Sequence, residues 1–125
     1  MTRDARTFSS TTPLIIGHRG ASALAPENTL VAFERALDDG ADGVEFDVRL
    51  ARDRVPVVIH DATLRRTLLR DETVAALTSS ELRRWDAGTW FTLRFPERAR
   101  DDYHLARVPT LDETLGLVGP RSAAV

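Results

Sequence analysis

Cysteine is absent from this chain of 125 residues, so disulfide bonds and thiolate metal ligands are both excluded. Any metal ion would therefore be bound by carboxylate, imidazole or backbone carbonyl groups. Lysine is absent too, since all 17 basic residues are arginine, and 19 acidic residues leave a formal net charge of -2. This balance provides no basic surface of the kind that nucleic-acid-binding proteins use, so we expect no nucleic-acid partner.

Long apolar runs are also missing. No segment approaches the roughly 20 apolar residues that a transmembrane helix needs, so we expect no membrane span. Residues 1–12 lack the apolar run of a signal peptide and are predicted to form a disordered polar tail. A cytoplasmic location is the resulting expectation. Residues 13–125 are predicted to form one globular domain, as the 42% hydrophobic and 29% charged content of the chain indicates.

The first ordered segment has the pattern of a β/α unit. Residues 14–16 form a short apolar run between Pro13 and Gly17, which is typical of a strand buried on both faces in a parallel sheet. A helix should follow, with Asn28 as its N-cap and Gly40 as its C-terminal stop. Its buried stripe is predicted to contain Leu30, Phe33 and Leu37.

Two runs of alternating apolar and polar residues come next, separated by residues 51–54. Four residues are too few for the crossover between parallel strands, so the two runs are predicted to form an antiparallel hairpin. Their apolar faces match when Leu50 pairs with Val55. In that register Glu45 lies opposite His60, and both side chains fall on the polar face.

The second half of the chain is less periodic but contains two helix starts. Thr78 and Thr110 are each followed three residues later by a glutamate, which is the pattern of a capping box. The first helix is predicted to extend through Trp85, and the second to end at Gly119. Residues 94–107 are rich in charge and are predicted to form an exposed loop.

Glu45 and Asp47 are two carboxylates on one predicted strand face, about 7 Å apart at a rise of ~3.3 Å per residue. Such like charges repel each other on a largely buried face unless a cation or an arginine compensates them. Oxygen ligands of this type favour Mg²⁺ or Ca²⁺ over zinc. An ordinary solvated strand face, with Arg49 as a neighbour, is the alternative interpretation.

Two histidines accompany these carboxylates. His18 ends the first apolar run, where α/β sheets and barrels place reactive groups, although a lone histidine there could simply cap the strand. Arg19 has the planar fork that binds two phosphate oxygens. His60 precedes Asp61, which could orient the imidazole or begin a turn. Two histidines and a metal ion are what acid–base cleavage of a phosphodiester requires.

Six segments in a fixed order resemble the glycerophosphodiester phosphodiesterase family, over about residues 14–118. No single segment is specific, but their combination is. The segments are Ile16-Gly17-His18-Arg19-Gly20, Pro26-Glu27-Asn28-Thr29, Glu45-Phe46-Asp47-Val48, Val57-Val58-Ile59-His60-Asp61, Asp86-Ala87-Gly88-Thr89-Trp90-Phe91 and Val108-Pro109-Thr110-Leu111-Asp112-Glu113. One departure is Asp53-Arg54, where the family usually has Asp-Gly at the hairpin turn.

The resemblance implies an α/β fold, a TIM (β/α)8 barrel of the phospholipase-C-like phosphodiesterase type, with its site at the carboxyl ends of the strands. His18 and His60 match the acid/base pair of the family. Glu45 and Asp47 match two ligands of its divalent cation, Mg²⁺ or Ca²⁺, and Arg19 matches an arginine that binds the substrate phosphate. The implied substrate is a glycerophosphodiester, hydrolysed to glycerol 3-phosphate and an alcohol through a cyclic phosphate.

The resemblance also implies elements that these residues do not include. A TIM barrel needs ~250 residues, so the chain is expected to supply about the N-terminal half, before a strand that bears a third acidic metal ligand. Activity of the isolated chain is then expected to be weak or absent, and its open strand edges are expected to allow self-association. The alternatives are a truncated non-catalytic remnant or phosphodiester-binding module, and a related barrel phosphodiesterase that acts on phospholipid head groups.

Overall fold

The computed structural model describes residues 13–122, so the predicted tail at residues 1–12 lies outside the described part. Within that part the chain forms four short strands and five α-helices. The strands are β1 (Ile16–His18), β2 (Gly43–Glu45), β3 (Val48–Leu50) and β4 (Pro56–Val58). The helices are α1 (Leu30–Asp38), α2 (Arg65–Leu68), α3 (Ser79–Leu82), α4 (Thr89–Arg94) and α5 (Leu111–Val118), with 3-10 turns at Val74–Ala76, Pro96–Arg98, Tyr103–Leu105 and Gly119–Arg121.

The segment β1–α1–β2 is the predicted β/α unit. β1 and β2 pair in parallel, which places His18 opposite Glu45. α1 begins after Thr29, whose side-chain oxygen accepts a hydrogen bond from a backbone N–H in the first turn. The predicted N-cap, Asn28, is therefore wrong by one residue. Gly40 follows the end of α1 with a φ of 99°, as a C-terminal stop should.

β1 is not buried on both faces, and that prediction is wrong. Ile15 is 65% exposed and Ile16 is 43% exposed. α1 covers β1 at Gly17, where an added Cβ would lie 3.0 Å from the Cβ of Ala36. Among the described residues β1 pairs with β2 alone. An apolar run shows that a strand can be buried, whereas burial itself requires a neighbouring layer on each face.

β3 and β4 form the predicted antiparallel hairpin, but the predicted register is wrong by one residue. Leu50 lies opposite Pro56, not Val55. The alternating run is also divided, because Glu45 belongs to β2 and pairs with β1. It therefore does not face His60 across the hairpin. The division falls at Phe46-Asp47, where the chain leaves one strand partner for another.

Both faces of β4 are buried in the core. Val57 and Ile59 belong to the largest core cluster, together with three leucines and one valine from the segment between β4 and α3. Val58 belongs to a second cluster, where it packs with Phe33 of α1 and Val118 of α5. The two clusters join the hairpin to neighbouring helices. Ile59, which follows β4 and precedes His60, is therefore held at a defined place.

The charged segment 94–107 is not simply an exposed loop. Tyr103 is 1% exposed and packs in a third cluster with Phe91, which is fully buried. Its hydroxyl donates a hydrogen bond of 2.6 Å to Leu24 O. The loop prediction is wrong at this residue, because one aromatic side chain carries enough apolar surface to anchor a polar segment.

Both predicted capping boxes are present, at Thr78 and at Thr110. α3 is nevertheless shorter than predicted and ends at Leu82, before Trp85. α5 ends at Val118, so the stop predicted at the next residue is confirmed. No helix within residues 13–122 has both the length and the apolar character needed to cross a membrane.

Candidate active site

The carboxyl ends of β1 and β2 bring His18 and Glu45 together. The parallel register places the two residues opposite each other, and His18 Nε2 lies 3.8 Å from Glu45 Oε1. The next residue, Arg19, turns the chain with a φ of 56°. Its backbone N–H donates to Glu45 O at 2.8 Å and to Glu45 Oε1 at 3.1 Å. Strand pairing and one turn therefore orient the Glu45 carboxylate.

The Arg19 side chain lies between two other carboxylates. Its Nη1 donates to Glu27 Oε2 at 3.2 Å, and its Nε lies 3.4 Å from Asp47 Oδ2. The same oxygen of Asp47 accepts a hydrogen bond of 3.0 Å from Asn28 Nδ2. The predicted phosphate-binding arginine and one predicted metal ligand are thus brought into direct contact, with Glu27 and Asn28 as additional partners.

His60 follows β4 and contacts the carboxylate next to it in sequence. His60 Nδ1 lies 2.7 Å from Asp61 Oδ1, so Asp61 does orient the imidazole. Arg66 donates to both oxygens of Asp61, each at 3.0 Å. These hydrogen bonds from Arg66 are the main reason that the pKa of Asp61 is lowered to about 2; partial burial opposes the shift and His60 adds to it.

The two halves of the site are joined by Glu27 and Arg66. Arg66 Nη1 and Nη2 donate to the two oxygens of Glu27 at 2.6 and 2.9 Å. Hydrogen bonds to Glu27, and then to Asp61, raise the pKa of Arg66 above its already high ordinary value. The result is a continuous network of charged side chains, which runs in the order Asp47, Arg19, Glu27, Arg66, Asp61 and His60.

Glu27 and Arg66 are functional candidates that the sequence reasoning missed. Glu27 stands in a segment that was interpreted as a helix start and as part of the family pattern, with no role given to its carboxylate, yet its side chain is 9% exposed. A carboxylate just before a helix and directly after the apolar segment Ala23-Leu24-Ala25-Pro26 was a signal that could have been followed. Arg66 gave no such signal, because it is one of two adjacent arginines and the neighbouring Arg65 points to an exposed aspartate instead.

The carboxylates are less buried than the sequence predicts. The side chains of Glu45 and Asp47 are 43% and 27% exposed, and that of His18 is 68% exposed. Among residues 13–122 no three or more His, Asp or Glu side chains are grouped closely enough to bind a metal ion. The role of Glu45 and Asp47 as metal ligands stays a prediction.

An apolar cleft of about 600 Å³ opens beside the network. Its charged lining residues are Glu27, Arg66 and Arg94, and its apolar lining includes Trp90, Leu69 and Leu93. The Arg66 guanidinium lies 5.5 Å from the centre of the Trp90 ring. Trp90 is thus available to a ligand, whereas the next residue, Phe91, is fully buried in the core.

Comparison with known proteins matches residues 18–123 to the model of the glycerophosphoryl diester phosphodiesterase family. The chain belongs to this family. A glycerophosphodiester phosphodiesterase of Caldanaerobacter subterraneus is 42% identical over 112 residues, which are 90% of this chain and 43% of that protein. The enzyme of Bacillus subtilis is 38% identical over 106 residues, which are 85% of this chain and 36% of that protein.

Solved structures of the family agree with the fold. A phosphodiesterase of Oleispira antarctica in complex with the product sn-glycerol-3-phosphate has a TM-score of 0.76 and 36% identity, with 88% of this chain and 41% of that chain covered. The glycerophosphodiester phosphodiesterase of Agrobacterium tumefaciens has a TM-score of 0.73 and 44% identity, with 83% and 42% covered. These family members are TIM barrels, so the predicted α/β class is confirmed. The chain spans about 40% of their length.

Proposed function

We propose that this site takes part in the hydrolysis of glycerophosphodiesters to glycerol 3-phosphate and an alcohol. The observation that carries the proposal is the meeting of His18 with Glu45 and of Arg19 with Asp47 at the strand ends of a chain of this family. The related Oleispira antarctica enzyme is complexed with sn-glycerol-3-phosphate as its product, which supports the same substrate class here. Because the chain spans about 40% of its relatives, the activity is proposed for the whole protein.

A divalent cation fits the donor groups of the site, and the family generally depends on one. Glu45 and Asp47 offer carboxylate oxygens, which are the ligands that Mg²⁺ and Ca²⁺ prefer. Asn28 Oδ1 is buried and accepts no hydrogen bond within residues 13–122, although Asn28 Nδ2 is fixed on Asp47. We propose that Glu45 and Asp47 hold the ion, which would neutralise charge that develops on the phosphate.

The remaining residues have separate proposed roles in the reaction. Arg19 is held between two carboxylates and would present a fixed positive charge to a phosphate oxygen. One of the two histidines would remove the proton of the substrate 2-hydroxyl, and the oxygen of that hydroxyl would attack phosphorus. The other would protonate the departing alcohol. Water then opens the cyclic phosphate, with the proton transfers reversed between the same two groups.

The proposal is tested with the purified chain, glycerophosphocholine, and Mg²⁺ or Ca²⁺. Release of glycerol 3-phosphate is measured by a coupled assay, and its binding by chemical-shift changes in NMR spectra. Replacement of either His18 or His60 by alanine should lower any turnover by 10²–10⁴-fold, the range for loss of a general acid or base. His104→Ala is the matched control, because His104 is exposed and lies outside the network. Turnover that survives both His18→Ala and His60→Ala would contradict the proposal.

A phosphodiester-binding module without turnover is the second candidate. It is favoured by the absence of a group of three metal-binding side chains within residues 13–122. This candidate predicts that glycerol 3-phosphate binds the chain, that Arg19→Met weakens the binding, and that no substrate is hydrolysed. Addition of Ca²⁺ to Glu45→Gln and wild-type chains shows whether a cation takes part.

The cytoplasmic location also stays a prediction, which cell fractionation would check.

A further inference from the structure

The Asp61 carboxylate determines which nitrogen of His60 can carry a proton. Asp61 Oδ1 lies 2.7 Å from His60 Nδ1, and the pKa of Asp61 is lowered to about 2. An ionised carboxylate only accepts hydrogen bonds, so the nitrogen that faces it has to donate. His60 therefore carries its proton on Nδ1, and Nε2 is the atom left to accept one. An imidazole in water prefers the opposite tautomer, with the proton on Nε2.

The Asp61 side chain is partly buried, with 25% exposed, and lies after the end of β4. What holds it is the guanidinium fork of Arg66, which donates to both of its oxygens. Arg66 is held in turn by two hydrogen bonds to Glu27, and its guanidinium lies over the ring of Trp90. All of its hydrogen-bonding nitrogens are thus used to join two carboxylates.

The backbone that carries Arg66 is also anchored. In and next to α2, Leu64 is fully buried, and Thr67 and Leu68 are each 6% exposed. The guanidinium therefore extends toward Asp61 from an anchored backbone. A lysine at this position would be unable to bind both carboxylates in the same way, because its ammonium group lacks the planar fork.

We propose that Arg66 is a positioning residue, which holds Asp61 against His60 Nδ1 and so leaves Nε2 free for proton transfer. The use of Nε2 in catalysis rests on the proposed function, but the tautomer does not. Since Glu27 binds both Arg66 and Arg19, the same network also keeps His60 in register with the arginine proposed to bind phosphate.

The tautomer can be measured in the chain without substrate. The nitrogen chemical shifts of the imidazole in a 15N-histidine-labelled sample distinguish a protonated from a bare ring nitrogen, and His60→Ala assigns the signals. In the wild-type chain, at a pH where His60 is neutral, Nδ1 should be protonated. In Arg66→Met the ratio of the Nδ1-protonated to the Nε2-protonated form should fall by about tenfold, as expected for loss of a hydrogen bond to a charged group.

Arg65→Met is the matched control, because it removes an adjacent guanidinium that is 74% exposed. The nitrogen Nε of Arg65 lies 3.5 Å from Oδ1 of the exposed Asp71. Arg65→Met should leave the tautomer ratio unchanged. Arg66→Lys should give a ratio between that of Arg66→Met and that of the wild-type chain. A wild-type His60 with its proton on Nε2 overturns the proposal without any variant. A folded Arg66→Met chain with the wild-type ratio does so as well. If Arg66→Met does not fold, Arg66→Gln replaces it.

The outcome is separable from that of the proposed function. If the chain hydrolyses no phosphodiester but the ratio falls in Arg66→Met, the phosphodiesterase proposal fails and the positioning role of Arg66 stands. If turnover depends on His60 but the ratio is unchanged in Arg66→Met, the phosphodiesterase proposal stands and the positioning role of Arg66 fails.

Discussion

At the scale of single residues, backbone conformation decides the geometry of the strand ends. Arg19 and Asn28 both have a φ of 56°, in the left-handed region that few residues other than glycine adopt. The two turns are joined, since Asn28 N–H donates to Arg19 O at 3.0 Å. Asparagine tolerates this conformation better than most residues, and it is also a good N-cap. The sequence alone does not distinguish these two uses of Asn28, which is why the predicted N-cap was one residue early.

Gly20 permits the close packing of this turn on α1. Its φ is 81°, and an added Cβ would lie 2.7 Å from the backbone carbonyl carbon of Ala32. Gly20→Ala should therefore lower the free energy of unfolding by about 2 kcal/mol or more, because neither backbone can move without breaking the turn. Urea denaturation measures the change.

The matched control is Gly116→Ala in α5, where nothing lies within 4 Å of the added Cβ. It should raise the free energy of unfolding by ~0.5–1 kcal/mol, since alanine favours a helix interior. Equal effects of the two substitutions would show that close packing at Gly20 is not important.

The lowered pKa of Asp61 predicts a contribution to stability that depends on pH. The pKa is about 2 in the folded chain and ~3.9 in an unfolded one, so the ionised carboxylate stabilises the fold above pH ~4. This contribution, at most about 2 kcal/mol, should disappear as the pH falls from ~4 to ~2. In urea denaturation at several pH values, the difference between wild type and Asp61→Asn should shrink over that interval. The exposed Asp101, changed to Asn, is the control, and a difference that stays constant with pH would contradict the assignment.

At the scale of elements, local signals were predictive and long-range pairing was not. The two capping boxes and the end of α5 were found correctly, because each depends on residues within one or two turns of a helix. The hairpin was also found, since four residues can only join antiparallel strands. Its register was wrong because the turn at Arg54 adopts a φ of 65°, which alternation of apolar residues does not reveal.

The turn of the hairpin provides a test at this scale. Arg54 has a left-handed φ of 65°, a conformation that glycine adopts without strain. Arg54→Gly should therefore raise the free energy of unfolding by about 0.5 kcal/mol, because relief of the strained conformation exceeds the greater chain entropy of glycine. Thermal or urea denaturation measures the effect. Arg54→Ala keeps the Cβ and should show no such gain, so a similar gain in both variants would rule out backbone strain.

At the scale of the whole molecule, the described residues expose apolar strand surface. Val48 and Leu50 of β3 are 46% and 51% exposed, and together with Val74 they line an open cleft. Ile15 and Ile16 are also exposed beside β1. Apolar surface on strands that lack a covering layer favours association between copies. About 60% of the length of the relatives has no counterpart in this chain.

Self-association is the expected consequence for the isolated chain. Sedimentation velocity should show species larger than a monomer that increase with concentration. Leu50→Glu should shift the distribution toward the monomer, because it places a charge in the apolar face of β3. Leu115→Glu is the control, since Leu115 is 48% exposed but lies on α5. A chain that stays monomeric at all concentrations, or an equal response to both substitutions, would contradict this use of β3.

The sequence by itself determined the family, the β/α order, the two capping boxes and the identity of the charged residues, because each of these depends on residue type and short spacing. Only the tertiary structure decided how those residues meet. It paired Glu45 with His18 across parallel strands rather than with His60 across the hairpin. It also placed Arg66 between Glu27 and Asp61, 39 and 5 residues away in sequence. Contacts of this kind arise from strand register and from the packing of separate elements, and neither leaves a periodic pattern in the chain.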